Sequence, residues 1–249
     1  MRDSYIDKTS LLLLQNSFQL DDICEINCNV LLVFMNLAYW SSFEFARTLI
    51  SVLDPVKLSV SMNSCVIQLQ NSLLYSDESD IIKINKEKQE NCIKFLLNLI
   101  GFLQNTLFER YQIDELFYEF NVLFFEVLTL LLPHKSLKLS CLQLLQNCCC
   151  GAVTRVQIIK NKDLMECFLQ NMENNDFIIK IVTLQIVNYM IAFGESGSQE
   201  RLSILKNYGV PKYLTRIINF ASIKENNVRY PEECSQLIVL AKDIFEFFC

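Results

Sequence analysis

The sequence has few glycine and proline residues, and this scarcity limits the folds open to it. Five glycines and four prolines occur in 249 residues. A β-sandwich or an α/β enzyme usually needs more of these turn-forming residues. We therefore expect long helices joined by short connections.

Long apolar runs and export signals are also missing. No run approaches the roughly 20 residues that cross a bilayer. The N-terminal leucine run is short and follows acidic residues, so we expect neither a signal peptide nor a membrane anchor. Without an export signal, the eleven cysteines are predicted to be reduced thiols in a cytoplasmic or nuclear protein that is not secreted.

A single histidine, His134, restricts acid–base and nucleophilic chemistry. It follows Pro133 in a predicted turn between helices, where exposure is expected. No phosphate-binding loop, GxSxG segment, dinucleotide fingerprint or paired-carboxylate motif occurs. We therefore predict that the protein is not an enzyme and needs no cofactor.

What the sequence does contain is apolar and mildly acidic. Hydrophobic residues make up 51% of the chain, which predicts a folded protein. The net charge of −6 is not that of a general nucleic-acid binder.

Apolar periodicity predicts successive helices, with an acidic loop over 76–85. Gly151, Gly194 and Gly209 follow predicted helix ends, where a left-handed residue is favoured. The predicted helices are Ser4–Leu20, Asp22–Trp40, Ser42–Leu53, Pro55–Tyr75, Lys86–Arg110, Ile113–Leu132, Ser136–Cys150, Thr154–Asn161, Asp163–Met172, Asp176–Phe193, Gln199–Asn207, Val210–Ala221 and Pro231–Phe248.

One stretch of the chain repeats at an offset of 46 residues. Ile158–Met172 aligns without a gap with Ile204–Ile218. Each copy is predicted to be a short helix, a tight connection and a second helix, followed by a longer third helix. Helices that are apolar nearly all round, such as Phe177–Phe193, require cover on most sides, which stacked repeats provide.

A second signature recurs in the long helices, where an apolar pair is followed by an asparagine. It occurs in Val30–Asn36, Cys92–Asn98, Cys141–Asn147 and Thr183–Asn188. The pattern resembles the armadillo/HEAT-like helical repeat superfamily. The resemblance implies an all-α, right-handed helical solenoid of about four to five irregular repeats. It implies one domain over residues 1–249, with the best-defined repeats at 136–194 and 198–249.

The same resemblance implies a non-enzymatic scaffold or adaptor that binds a segment of a protein partner. Third-helix asparagines grip an extended peptide in the peptide-binding members of this superfamily. We predict Asn98 and Asn147 in that role, with Asn36 and Asn188 weaker, and we expect Asn188 to make a buried polar contact. The neighbouring polar residues expected to share the surface are Asn91, Lys94 and Gln143.

Two other functions remain open from the residues. A basic stretch could bind nucleic acid; its residues are Arg201, Lys206, Lys212 and Arg216. An all-helical domain rich in phenylalanine could also enclose an apolar small molecule.

The ends of the sequence are apolar. Phe245, Phe247 and Phe248 lie at one end and Leu11–Leu14 at the other. Because solenoid ends need polar caps, we expect a partner or a self-association surface there.

Three adjacent cysteines, Cys148 to Cys150, precede Gly151. Neighbouring residues on a helix point about 100° apart, so the three thiols cannot converge on one tetrahedral zinc. Cys148 belongs instead to an apolar face with Cys141 and Leu145 and is predicted to be core filler. Cys24 and Cys28 have the spacing of two ligands but lack further partners, so we predict no metal site.

Overall fold

The computed structural model describes residues 29, 31–33, 35–36, 60, 62–69, 79–106 and 123–249. These residues belong to two compact units, Met1–Leu144 and Leu145–Cys249. The described residues contain helices and no β-strand, which confirms the all-α prediction. One domain over 1–249 stays a prediction.

The first unit contains helix α1 (Ser79–Thr106), helix α2 (Leu123–Leu131) and the start of α3 (Lys138–Cys148). Residues 29, 31–33, 35–36, 60 and 62–69 are also helical. In α1 the residues at helical spacing are buried, while Lys94 on the other face is exposed. This buried face consists of Cys92, Phe95, Leu96, Leu99 and Phe102.

Met35, in the first recurring signature, contacts the end of α1. A Cβ added at Gly101 would come within 2.5 Å of the Met35 sulfur, so the glycine permits close approach. The Asn105 amide nitrogen lies 3.0 Å from the Met35 carbonyl oxygen and donates to it. The side chain of Asn105 therefore braces two helices.

The turn between α2 and α3 contains the single histidine. The His134 amide donates to the Leu131 carbonyl, and the His134 carbonyl accepts from Lys138, so the residue links the two helices. Its side chain is half-buried, although exposure was predicted. The Nδ1 atom is buried and has no hydrogen-bond partner among the described residues.

The second unit holds the end of α3 and seven further helices within residues 145–249. They are α4 (Ala152–Lys160), α5 (Lys162–Leu169), α6 (Phe177–Ile191), α7 (Ser198–Asn207), α8 (Val210–Ala221), α9 (Lys224–Arg229) and α10 (Pro231–Glu246). A 3-10 turn at Gln170–Glu173 extends α5. A side-chain cap starts α6, where the Asp176 carboxylate accepts from the amides of Ile178 and Ile179.

The 46-residue repeat is visible in this unit as two copies of one arrangement. Helices α4, α5 and α6 form the first copy, and α7, α8 and α10 the second. Aligned apolar positions are at most 1% exposed in both copies: Ile159 and Leu205, Leu164 and Val210, Phe168 and Leu214. Equivalent elements touch, because α4 contacts α7, α6 contacts α10 and the 3-10 turn contacts α8. Stacking of the copies thus covers the apolar helices, as the pattern predicted.

The glycine predictions are confirmed at two positions and wrong at the third. Gly194 and Gly209 have φ angles of 89° and 78°, in the left-handed region. Gly151 is extended, with φ −80° and ψ 134°, because it is the N-cap of α4. Helix α3 has already ended at Cys148, and hydrogen bonds of the i to i+3 type carry Cys150 and Gly151 through a turn.

Two other boundaries differ from the sequence predictions. Helix α1 begins at Ser79, so most of the acidic loop predicted at 76–85 is helical. Helix α9, with the sequence KENNVR, was not predicted and contacts α8 and α10. The helices predicted at Ser4–Leu20 and Ser42–Leu53 lie outside the described residues, as do Cys24, Cys28 and Leu11–Leu14.

Candidate functional site

The asparagines predicted to bind a peptide lie in different settings. Within α1, Lys94 is exposed while Asn91 and Asn98 are half-buried. Within α3, Gln143 is exposed and Asn147 is half-buried. A peptide-binding role of these residues stays a prediction.

Asn188 was expected to make a buried contact, and this expectation is wrong. The residue is exposed, one helical turn after the half-buried Gln185 on the same face of α6. The opposite face of α6 is fully covered, with Ile186 and Met190 at 0% exposure. Because α6 is apolar nearly all round, its apolar stripe does not by itself mark which side faces solvent.

Gln185 connects two long helices of the second unit. The Gln146 amide nitrogen, on the last turn of α3, donates to the Gln185 side-chain oxygen over 3.3 Å. Both residues are half-buried. Signature helices of successive repeats therefore share a polar link at this surface.

Helices α6 and α10 lie side by side and parallel. At their N-terminal ends the Phe177 and Tyr230 ring centroids are 4.8 Å apart. At their C-terminal ends the Phe193 and Phe247 rings stack, with centroids 5.0 Å apart and planes 25° apart. Contacts at both ends fix the register, since the paired residues are separated by 53 and 54 positions in the sequence.

A groove of about 670 Å³ runs along α10 beside α6. It is lined by Gln185 of α6 and by residues Pro231, Glu232, Ser235, Gln236, Val239, Leu240 and Asp243 of α10. Its centre is apolar, with Val239 55% exposed. The groove therefore offers polar groups, an apolar centre and two carboxylates on one helical face.

The charge of this groove is negative. Glu232 and Asp243 are exposed, and neither forms an ion pair within residues 123–249. Helix α10 has four acidic residues and one basic residue, Lys242. Helix α6 adds no positive charge at the surface, because Lys180 is buried and donates to the Met172 carbonyl over 2.6 Å.

The prediction of a basic, nucleic-acid-binding patch is wrong for its first residue, Arg201. Arg201 is only 6% exposed and donates to the carbonyls of Ile191, Ala192 and Ser196 at the end of α6. Arg216 is exposed and pairs with Glu173. Lys206 and Lys212 are exposed. A structural role for Arg201 leaves the patch with less positive charge than the sequence indicated.

Arg155 has the same role one repeat earlier, and sequence reasoning missed it. It is 4% exposed and donates to the carbonyls of Cys149 and Cys150 after α3, over 2.8 and 3.4 Å. Extending the 46-residue repeat seven residues upstream aligns Gly151 and Arg155 with Gly197 and Arg201. That Gly-x-x-x-Arg spacing is the signal that could have identified both arginines.

The phenylalanines near the end of the sequence are half-buried, namely Phe245, Phe247 and Phe248. Phe247 follows Asp243 by one turn and stacks on Phe193, which is 64% exposed. The aromatic pair thus stands at the C-terminal ends of α6 and α10. An interface at these residues stays a prediction.

The cysteine cluster is a packing feature. Leu137, Cys141, Leu144, Leu145 and Cys148 are all fully buried, which confirms the predicted core face of α3. Burial raises the pKa of the Cys148 and Cys149 thiols well above the ordinary value, and Arg155 partly opposes this shift in the pKa of Cys149. Across the described residues, no three His, Cys, Asp or Glu side chains form a group that could hold a metal.

A second cavity lies between α4 and α7 and has a volume of about 90 Å³. Small-molecule sites usually measure about 300–1,000 Å³, so this cavity is too small for a drug-sized ligand. No described helix is both long and apolar enough to cross a bilayer.

Comparison of the chain with protein-family models, with curated proteins and with solved structures finds no match in any of the three.

Proposed function

We propose that this protein is a non-enzymatic interaction module that binds a segment of a protein partner on the groove between α6 and α10. The main observation behind this proposal is the groove itself, which has a volume of about 670 Å³ and lies between the parallel third helices of the two copies. The resemblance of the sequence to armadillo-like repeats supports this proposal, since exposed third-helix surfaces bind partners in such repeats.

The chemistry of the lining fits a peptide. Gln185, Ser235 and Gln236 supply donors and acceptors for a peptide backbone. Val239 offers exposed apolar surface that a partner would remove from water. We propose the cytoplasm or the nucleus as the compartment, in agreement with the many free cysteines of the described residues.

Site-specific photo-crosslinking tests this function in cells. A photoreactive amino acid replaces Val239 in the full-length chain, and the control replaces Val153 of α4. The two valines are 55% and 57% exposed, so accessibility is matched. We expect a discrete crosslinked partner from position 239 that is absent from position 153.

A blocking substitution completes the test. Val239→Trp fills the groove and should abolish co-purification of that partner, while Val153→Trp should leave it unchanged. Equal crosslinking from both positions, or retention of the partner by Val239→Trp, would contradict the proposed function.

A further inference from the structure

We infer that the groove between α6 and α10 takes an extended, basic segment of a protein partner, with Lys or Arg near both ends and an apolar residue between them. This inference rests on the proposed function and specifies the chemistry of the partner. It comes from the order of charged, polar and apolar groups along one face of α10.

The order is set by helical spacing. Glu232, Gln236, Val239 and Asp243 follow one another at intervals of four, three and four residues, so they share a face of α10. A carboxylate therefore stands near each end, with an amide and an exposed apolar side chain between. Glu246 continues the acidic face three residues beyond Asp243 and is also exposed.

The distance between the carboxylates fits an extended chain. Eleven residues of helix rise about 16 Å. An extended segment advances about 3.3 Å per residue, so roughly five residues separate two basic side chains that pair with Glu232 and Asp243.

The polar lining favours an extended segment over a helical one. A helix satisfies its own backbone hydrogen bonds, whereas an extended segment presents unpaired N–H and C=O groups. Ser235 and Gln236 are exposed, and their side chains make no hydrogen bond within residues 123–249. They are placed to satisfy the backbone of an incoming segment.

The charges around the groove oppose an acidic partner. Two basic residues are near: Lys242 lies on the flank of α10, and the Arg229 guanidinium lies over the Tyr230 ring, 5.2 Å from its centroid. Against them stand Glu232, Asp243 and Glu246, so the face is net acidic. Nucleic acid is disfavoured by the same charge, because its phosphates would meet carboxylates.

The experiment selects a library of random ten-residue peptides, displayed on phage, against the full-length chain. Enriched peptides are synthesised with a fluorophore, and their dissociation constants are measured by fluorescence polarisation. We expect Lys or Arg at two positions about five residues apart, with an apolar residue between. Binding should weaken as NaCl is raised, because salt screens exposed charges.

Charge reversal identifies the residues responsible. Glu232→Lys/Asp243→Lys should weaken binding about tenfold, because two attractive pairs become repulsive. The control, Asp163→Lys/Glu166→Lys, makes the same change in net charge on α5. The two sets are similar in position and exposure, since Glu232 and Asp163 each lie in the first turn of their helix and all four residues are exposed. Glu166 differs in pairing with Lys162 over 3.7 Å, an exposed pair of small energy. We expect the control to bind within twofold of the unmodified chain.

The outcomes separate this inference from the proposed function. Acidic or uncharged peptides that Val239→Trp blocks would overturn the partner class alone, as would basic peptides whose binding survives Glu232→Lys/Asp243→Lys. A dimer in light scattering that Val239→Trp abolishes would place a second copy in the groove and also overturn the inference. A selection that returns no peptide sensitive to Val239→Trp would overturn the proposed function as well.

Discussion

Arg155 and Arg201 stand 46 residues apart and make equivalent contacts. Each is nearly fully buried and donates from its guanidinium to carbonyl oxygens at or just after the end of the preceding long helix. The acceptors include Cys150 and Ser196, which are also 46 residues apart. The Glu195 carboxylate joins the two, 2.5 Å from Arg155 and 4.0 Å from Arg201.

These contacts predict that replacing either arginine destabilises the folded protein. Arg155→Ala or Arg201→Ala should lower the free energy of unfolding by about 2–4 kcal/mol, because buried carbonyls lose their donors. Arg155→Lys should recover little, since an ammonium cannot reproduce the fork of guanidinium contacts. Urea unfolding of the full chain measures the effect.

Glu195→Gln is the control and should lower the free energy of unfolding by less than about 1 kcal/mol, because Glu195 is 54% exposed. A loss below 1 kcal/mol for Arg155→Ala would contradict the capping role.

The two copies also provide a matched pair of asparagines. The Asn161 side-chain oxygen accepts from the Leu164 amide over 3.0 Å and caps α5. Its aligned residue, Asn207, is exposed and is not the N-cap of α8, which is Gly209. Asn161→Ala should therefore destabilise the fold by about 1 kcal/mol, and Asn207→Ala by less than 0.5 kcal/mol. Equal melting temperatures for the two variants would argue against the cap.

The buried thiols predict a loss of stability at alkaline pH. Burial raises the pKa of Cys149 above its ordinary value of 9.0, so the folded protein keeps a proton that the unfolded chain releases. The resulting stability is complete below pH 9 and is lost as the pH rises towards the folded-state pKa. The expected slope is about 1.4 kcal/mol per pH unit for one thiol.

Cys149→Ala should remove that slope contribution, as measured by urea unfolding between pH 8 and 10.5. The control is Ile158→Val, a buried apolar change that alters stability without adding or removing a titrating group. Parallel pH profiles for Cys149→Ala and the unmodified chain would show that Cys149 ionises in both states alike.

Asn147 distinguishes a binding surface from an internal brace. If it grips a bound segment, Asn147→Ala should weaken partner binding by about 1 kcal/mol, or roughly fivefold, with little change in melting temperature. Asn188→Ala is the comparison, since Asn188 is exposed and its loss should leave stability within about 0.5 kcal/mol. Affinity is measured with the partner identified from position 239. Lower stability of Asn147→Ala with normal binding at low temperature would exclude a peptide-binding role for Asn147.

Helix type and order were predictable because they depend on local signals. Helix α8 has the predicted bounds, Val210–Ala221, because Gly209 and Pro211 mark its start and a strong apolar stripe follows. Helix α9 was missed because KENNVR lacks such a stripe, and contacts with α8 and α10 support it. Gly151 was misassigned because a helix N-cap and a left-handed C-terminal residue both accept glycine.

The sequence by itself determined the helical character of the described residues, the 46-residue repeat and the buried face of α3, because each depends on the order of residues along the chain. Only the tertiary structure decided which polar residues face solvent. Arg201 was expected to be exposed and is buried, whereas Asn188 was expected to be buried and is exposed. Burial depends on which helix packs alongside, and periodicity within one helix does not identify that neighbour. The groove likewise arises from the parallel alignment of α6 and α10. That alignment is fixed by contacts between residues 53 and 54 positions apart, beyond the reach of any local pattern.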